Sequence, residues 1–264
     1  MTASLVAADL ALALSLADAA DAITTRRFRA SDLRVDSKPD LSPVTDADRA
    51  VEDMIRSSLA ESRPDDAFFG EESGQSGTGT RRWVIDPIDG TANFVRGVPI
   101  WASLISLLVN DVPVLGVVSA PALAQRWWAG LGSGAHVRDS GGIRKLRTSA
   151  VTALADASLS YASLSGWRDV DRYEPFLGLI DAVWRSRAYG DFYSYMLLAD
   201  GAVDLVAEPE LSLWDMAALA PIVTEAGGRF TGLDGIDGVH RSNALASNGF
   251  LHDQALSVIG TSPG

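Results

Sequence analysis

Two carboxylates, Asp86 and Asp89, stand three residues apart at the end of the apolar run Trp83, Val84 and Ile85. Pro87 forces a turn between them, and Gly90 and Thr91 follow at once. Acids so spaced at a strand end can aim at one point. Gly90 lets the backbone approach closely, and the N–H groups after it can cradle an anion if a helix starts there. Oxygen ligands for a cation beside N–H donors for a phosphate are the parts that metal-assisted phosphoryl transfer requires. Two further acidic spots bear on this one. Glu71 and Glu72 end the short apolar run Ala67–Gly70, and Asp215 follows Trp214 at the start of a long apolar stretch. Each alone has a plainer reading: surface charge for Glu71 and Glu72, a helix-start acid for Asp215 and for Asp46 after Thr45. Asp89 and Gly90 alone make a common turn. Their joint occurrence is what points to a site.

The elements that must position these groups follow from periodicity. Leu5, Val6, Ala8, Leu12, Leu16, Ala19, Ala20 and Ile23 recur at helical spacing, which predicts an amphipathic first helix ending near Arg26 and Arg27. Residues 37–43 carry two prolines and read as a loop. Thr45 is set to cap a second helix over 48–62, whose acidic first turn suits the helix dipole. Strands are expected at Ala67–Gly70, 82–85, 103–109, 114–119 and 125–129, the last three as an antiparallel meander joined at Asn110 and Asp111 and near Pro121. Gly130, Gly132 and Gly134 lack the GxGxxG spacing of a nucleotide fingerprint and read as a strand-joining turn. Beyond residue 149 strands at 158–161 and 183–187 alternate with helices at 174–181, 192–200 and 214–226, an α/β texture. A boundary near 148 divides the chain into halves 1–148 and 149–264.

Composition narrows the chemistry. The 264 residues are 47% hydrophobic, enough for a large core, and carry a net charge of −12. Such an acidic surface argues against nucleic acid and anionic membranes as partners. There is no cysteine, which excludes disulfides, iron–sulfur clusters, thiolate zinc sites and a cysteine nucleophile. Three histidines in no HxxxH or HxH pattern leave oxygen as the metal donor, which favours Mg, Mn or Ca. Asp9 and Asp18 interrupt the apolar N-terminal run and no basic residue precedes it, so a signal sequence is not indicated. A soluble cytoplasmic protein is the expectation.

Taken together, Thr45 and Asp46, the run Gly70 to Ser73, the run Asp86 to Phe94, Trp214 to Ala218, and Glu225 to Gly228 resemble the inositol monophosphatase-like superfamily, across nearly the whole chain. Ala92 departs from the threonine of many relatives, but its backbone N–H is retained. The resemblance implies a layered αβαβα sandwich, with an antiparallel sheet in the N-terminal half and a second sheet with helices in the C-terminal half. It implies that Glu71, Asp86 and the Ile88 carbonyl hold one Mg²⁺, that Asp86, Asp89 and Asp215 hold a second, and that Glu71 with waters holds a weaker third. It places phosphate on the N–H groups of Gly90 and Thr91. Asp46 and the Thr91 hydroxyl then position and deprotonate the attacking water, and Glu72 assists through water. Relatives are commonly homodimers, and the segment Trp184 to Tyr189 offers an apolar contact for one.

Within the superfamily, the stretches Gly97–Ala102, Ser160–Trp167 and Arg187–Phe192 are similar to actinobacterial histidinol-phosphate phosphatases. A chemical argument stands beside this. Histidinol phosphate carries an ammonium and a basic imidazole. Asp191 and Glu208 as carboxylates, with Phe192 or Tyr161 for the ring, suit such a cation better than a neutral cyclitol. Asp191 has a plainer role open to it, capping the helix that starts at Phe192. The alternatives are hydrolysis of inositol 1-phosphate or fructose 1,6-bisphosphate within the superfamily, and a non-catalytic metal-binding scaffold. A haloacid-dehalogenase-type phosphatase needs DxDx[TV] after an apolar strand. Asp46 and Asp48 have the first spacing but not the context or the final threonine.

Overall fold

A computed structural model of the chain describes residues 3–260. Its centre is an eight-stranded sheet in the order Gly142–Lys145, Gly134–Asp139, Gln125–Gly130, Val112–Ala120, Ala102–Val109, Arg81–Asp89, Ala67–Gly70, Gly74–Ser76. All neighbours are antiparallel except Ala67–Gly70 and Arg81–Asp89. A second, five-stranded sheet runs Arg185–Arg187, Ser158–Ser160, Leu205–Glu208, Ala244–Ser247, Arg229–Thr231. Its first two pairings are parallel and its last two antiparallel.

The strands of the large sheet are apolar on both faces because both are covered. Ile85, Ile105, Leu107 and Val117 face Ala13, Leu16, Val51 and Ile55 of the helices Ala3–Arg27 and Asp46–Ser62. On the other side, Leu104, Val118 and Trp127 meet Met196 and Ile222 of the helices Asp191–Ala199 and Leu219–Glu225. Val206, Phe230 and Ala246 of the second sheet belong to that same core. Leu205, Ala207 and Leu245 point the opposite way, onto Phe176, Leu179 and Ala255 of the helices Tyr173–Ala182 and His252–Ile259. The layers are therefore helices, sheet, helices, sheet, helices, as expected. The central core draws on residues from both sides of residue 148.

Local differences from the sequence reading have physical causes. The buried face of the first helix is Val6, Asp9, Ala13, Leu16, Ala17, Ala20 and Thr24, while Leu5 is exposed. A helix rich in Ala and Leu all round gives periodicity little to separate. The buried acid Asp9 is matched by Arg63 at 2.9 Å and Arg81 at 3.0 Å. Arg126, on the sheet, likewise holds Asp18 at 2.7 Å and Asp21 at 2.6 Å. The strand Gly134–Asp139 and the edge strand Gly142–Lys145 were not expected; the edge strand is exposed along its length and shows no alternation.

The expected helix over 214–226 is two helices, Leu213–Ala217 and Leu219–Glu225, hinged at Ala218. Pro221 has no N–H to offer the carbonyl four residues back, Ala217. That carbonyl instead accepts from Ser106 Oγ of the large sheet at 2.8 Å. The hinge sits so close to the sheet that a Cβ on Gly116 would stand 2.1 Å from the Ala218 carbonyl oxygen. The second half thus docks its Asp215-bearing helix by backbone contact. Gly116→Ala must push that hinge away. We expect it to cost about 1–3 kcal/mol of stability, the usual range for overpacking a close contact, read by denaturant unfolding.

Candidate active site

Asp86 is buried near the end of the central strand Arg81–Asp89, at 2% exposure. Its Oδ1 accepts from Ile88 N at 3.0 Å, which bends the chain over Pro87. The ladder with Ala102–Val109 breaks register between Asp86 and Asp89. A proline cannot donate to the ladder, and such irregularities re-aim side chains. Ser103 Oγ donates to the Pro87 carbonyl at 2.7 Å and fixes the bend. Asp215 arrives from the other half, oriented by Ser212 N, which donates to its Oδ2 at 2.7 Å. Ligand oxygens of Asp86, Asp89 and Asp215 all lie within 4.8 Å of one another.

Burial, and then the neighbouring acids, raise all three carboxyls. For Asp86 the acids are Glu71, Asp89 and Asp215, and for Asp89 they are Asp191 and Asp215. Asp215 is pushed up to about 7, chiefly by burial. The basic side chain nearby, Lys38, pairs with Glu71 and Glu72, both at 2.7 Å, rather than with these three. Glu71 borders Asp86 closely enough for a side-chain hydrogen bond. Buried, like-charged oxygen ligands with no balancing base of their own fit a hard divalent cation.

Glu71 and Glu72 owe their place to a residue not anticipated from the sequence. Glu52, 2% exposed, accepts from the backbone N–H of Glu72 at 2.8 Å and of Ser73 at 2.7 Å. Gly70 leaves it room, since a Cβ there would lie 2.4 Å from the Glu52 carboxylate. The signal was available: Glu52 follows Asp48 by one turn, on the face that packs under the strand ends.

The expected role of Asp46 does not match the geometry. Asp46 is held outward by Arg27 Nη2 at 2.8 Å. Asp48 is the acid facing Thr91, whose single hydroxyl proton has two acceptors in reach, the Ile88 carbonyl at 2.9 Å and Asp48 Oδ1 at 3.3 Å. Asp48 Oδ2 also accepts from Thr45 N at 2.8 Å and Thr45 Oγ1 at 2.6 Å. The helix begins at Asp46, so Asp48 is its third residue and belongs to a capping box with Thr45. The Thr-x-x-Asp spacing of that box was the signal that should have moved the assignment. Burial raises the Asp48 carboxyl to about 6, against the hydrogen bonds from Thr45.

Gly90 takes φ +82°, and a Cβ would meet the Ile100 carbonyl at 3.0 Å and Asp191 Oδ2 at 3.3 Å. Only glycine lets this turn deliver the chain into the short helix Thr91–Arg96. The first N–H groups of a helix have no intrahelical acceptor. The N–H of Thr91, at the helix start, therefore has no acceptor within its own helix.

Asp191 does not cap its helix. The helix begins at Asp191 itself, and Asp89 Oδ2 accepts from Phe192 N at 2.7 Å. The Asp191 carboxylate turns instead to Asn93, whose Nδ2 donates to its Oδ2 at 3.2 Å. Glu208, at the end of Leu205–Glu208, is buried, and its Oε1 has no hydrogen-bond partner. Burial, then Asp191 and Asp215, raise its carboxyl well above the usual range. Both acids thus adjoin the three-carboxylate cluster. Of the two aromatics expected in the pocket, Phe192 is corrected, and Tyr161 is half-buried beside another core. Phe192 is in the central core, 1% exposed, with its ring 6.2 Å from Trp127. Tyr161 packs edge-on to Phe176 at 5.3 Å, in the third core. Apolar rings go where apolar area is removed from water, and the helix's first-turn geometry sends Phe192 inward.

Comparisons with known proteins agree with this architecture. Residues 6–261 match the inositol monophosphatase family. A histidinol-phosphatase of Mycobacterium tuberculosis is 59% identical over 94% of this chain and 96% of its own length. One of Streptomyces coelicolor is 58% identical over 95% of this chain and 96% of its own. The structure of an inositol monophosphatase from Zymomonas mobilis superposes with a TM-score of 0.87 at 33% identity, covering 99% of this chain and 100% of that one. With its layered sheets and its acids gathered at the strand ends, the chain belongs to the inositol monophosphatase family.

Proposed function

We propose that this chain is a magnesium-dependent phosphomonoesterase that hydrolyses L-histidinol phosphate to L-histidinol and phosphate. The observation that carries the reading is the pair Asp191 and Glu208, buried acids beside the three-carboxylate cluster. Two regions of negative charge suit a substrate with a phosphate to be bridged by cations and a cationic head to be held directly. The 58–59% identity to curated histidinol-phosphatases supports the same reading.

Asp86, Asp89 and Asp215 would hold divalent cations, with Glu71 and the second lone pair of the Ile88 carbonyl beside them. Such cations supply charge neutralisation for the phosphate and make water more acidic. The chain's own groups do the rest. The N–H groups of Gly90 and Thr91 orient the phosphate. The Thr91 hydroxyl, with Asp48 Oδ1 in reach, gives its proton to that carboxylate as it takes one from the attacking water. With its carboxyl near 6, Asp48 is ionised at neutral pH yet basic enough to accept. Glu72 stays as a countercharge to Lys38. Asp191 and Glu208 take the ammonium and imidazole of the leaving alcohol, which fixes the ester for in-line attack.

A substrate panel with Mg²⁺ tests the assignment. Turnover of histidinol phosphate should exceed that of inositol 1-phosphate and fructose 1,6-bisphosphate; equal rates defeat it. Asp48→Asn should lower kcat by about 10²–10⁴-fold, the usual worth of a positioned base, with the thermal midpoint checked in parallel. Asp46→Asn should cost no more than a few-fold. The reverse ranking would return the proton to Asp46. Asp191→Ala should raise KM for histidinol phosphate more than KM for an aryl phosphate; parallel changes speak against a cation pocket.

Mg²⁺ removal has a pH signature. A carboxyl raised in the folded state stabilises fully below its unfolded value, near 3.8, and that contribution is lost as pH rises through its folded value, about 7 for Asp215. The metal-free protein should therefore lose stability across this window. Added Mg²⁺ should raise Tm clearly at pH 8 and much less at pH 5, where protons already neutralise the site. A Tm gain independent of pH would count against metal at these carboxylates.

A further inference from the structure

One buried polar group beside the site is used by nothing described so far. Tyr195 is fully buried, and its hydroxyl has no hydrogen-bond partner among the described residues. A buried hydroxyl without a partner costs stability, so its retention calls for a use. Its position gives one. Tyr195 lies four residues after Asp191 on the helix Asp191–Ala199, hence on the same face and one turn deeper. The ring is fixed at the Phe230 ring, centroids 5.7 Å apart. Val206 packs in the same core cluster as Tyr195, and Glu208, two residues further along that strand, points to the same face of the sheet. Glu208 in turn has one oxygen, Oε1, sealed from solvent and without a donor. An orphaned donor and an orphaned acceptor thus border the same buried core.

We infer that Tyr195 is a positioning residue for substrate selection: its hydroxyl donates to Glu208 and aims that carboxylate at the protonated head of the leaving alcohol. A phenol can give its one proton to Glu208 and still cannot compete for the cation's N–H groups, because Glu208 keeps its second oxygen for them. A carboxylate anchored on one oxygen presents the other in a fixed direction, which a free-swinging one does not. The inference rests on the histidinol phosphate reading, and it adds a residue to it: selection depends on a hydroxyl that never touches the substrate.

The test is Tyr195→Phe, which keeps the ring packing and deletes only the hydroxyl. A lost hydrogen bond to a charged group should raise KM for histidinol phosphate roughly 10- to 100-fold more than KM for p-nitrophenyl phosphate. Inhibition by the product L-histidinol, which has the charged head but no phosphate, should weaken by a similar factor. A double-mutant cycle then separates positioning from packing. In a Glu208→Gln background, Tyr195→Phe should add little further change in selectivity, because the group it aims is gone. Three results would overturn the inference: equal losses on both substrates, unchanged L-histidinol inhibition, or full additivity with Glu208→Gln. If the unaltered enzyme shows no preference for histidinol phosphate, the functional reading fails first and visibly, before any variant is compared.

Discussion

The constraint that organises this molecule is electrostatic: carboxylates drawn from segments over a hundred residues apart are packed, buried, against one another. Asp86 and Asp89 come from one strand end, Asp215 from a helix of the other half, and Asp191 and Glu208 from two further elements. Left alone, such charges repel, and burial denies them water. The fold holds them by devices that do not neutralise them. Backbone N–H groups of Ile88, Phe192 and Ser212 each grip one oxygen of one carboxylate. Backbone donors thus fix the cluster's shape without removing its charge, an arrangement that could hold a cation.

The same contacts join the two halves of the chain. Asp89, on the large sheet, satisfies the exposed N-terminus of the helix that carries Asp191 and Tyr195. Ser106 and Gly116, also on that sheet, receive the hinge behind Asp215. Docking and site assembly are one event. Error in either would separate the acids by more than a cation can span. Around this, Glu52 and Lys38 set the Glu71 and Glu72 turn from the opposite side, so each candidate ligand has a supporting partner outside the cluster.

Much of the candidate site was legible because the informative signals are local. Asp86, Pro87, Asp89 and Gly90 lie within five residues, and a strand end followed by a proline bend can do little else with two acids. The layered fold came from resemblance across several such stretches, and the meander from β-rich runs with turn residues between them. Legibility failed where one spacing allowed two frames. Asp46 and Asp48 both open the same helix, and only the turn of that helix decides that Asp48 faces Thr91 while Asp46 faces Arg27. Pro221 was visible, yet its effect, a hinge at Ala218, depends on Ser106 being close enough to take the orphaned carbonyl.

By itself, the amino-acid order determined an oxygen-ligand chemistry, since the chain holds no cysteine and only three scattered histidines, and it determined which carboxylates stand at strand and helix ends. Only the tertiary structure decided which of them meet. It turned Phe192 into the core and Asp191 toward Asn93, seated Tyr161 on Phe176, and left the Tyr195 hydroxyl buried without a partner among the described residues. The reason is range. Backbone propensity and capping act over a few residues, whereas the direction of a side chain at a helix start is settled by what packs against it from a hundred residues away.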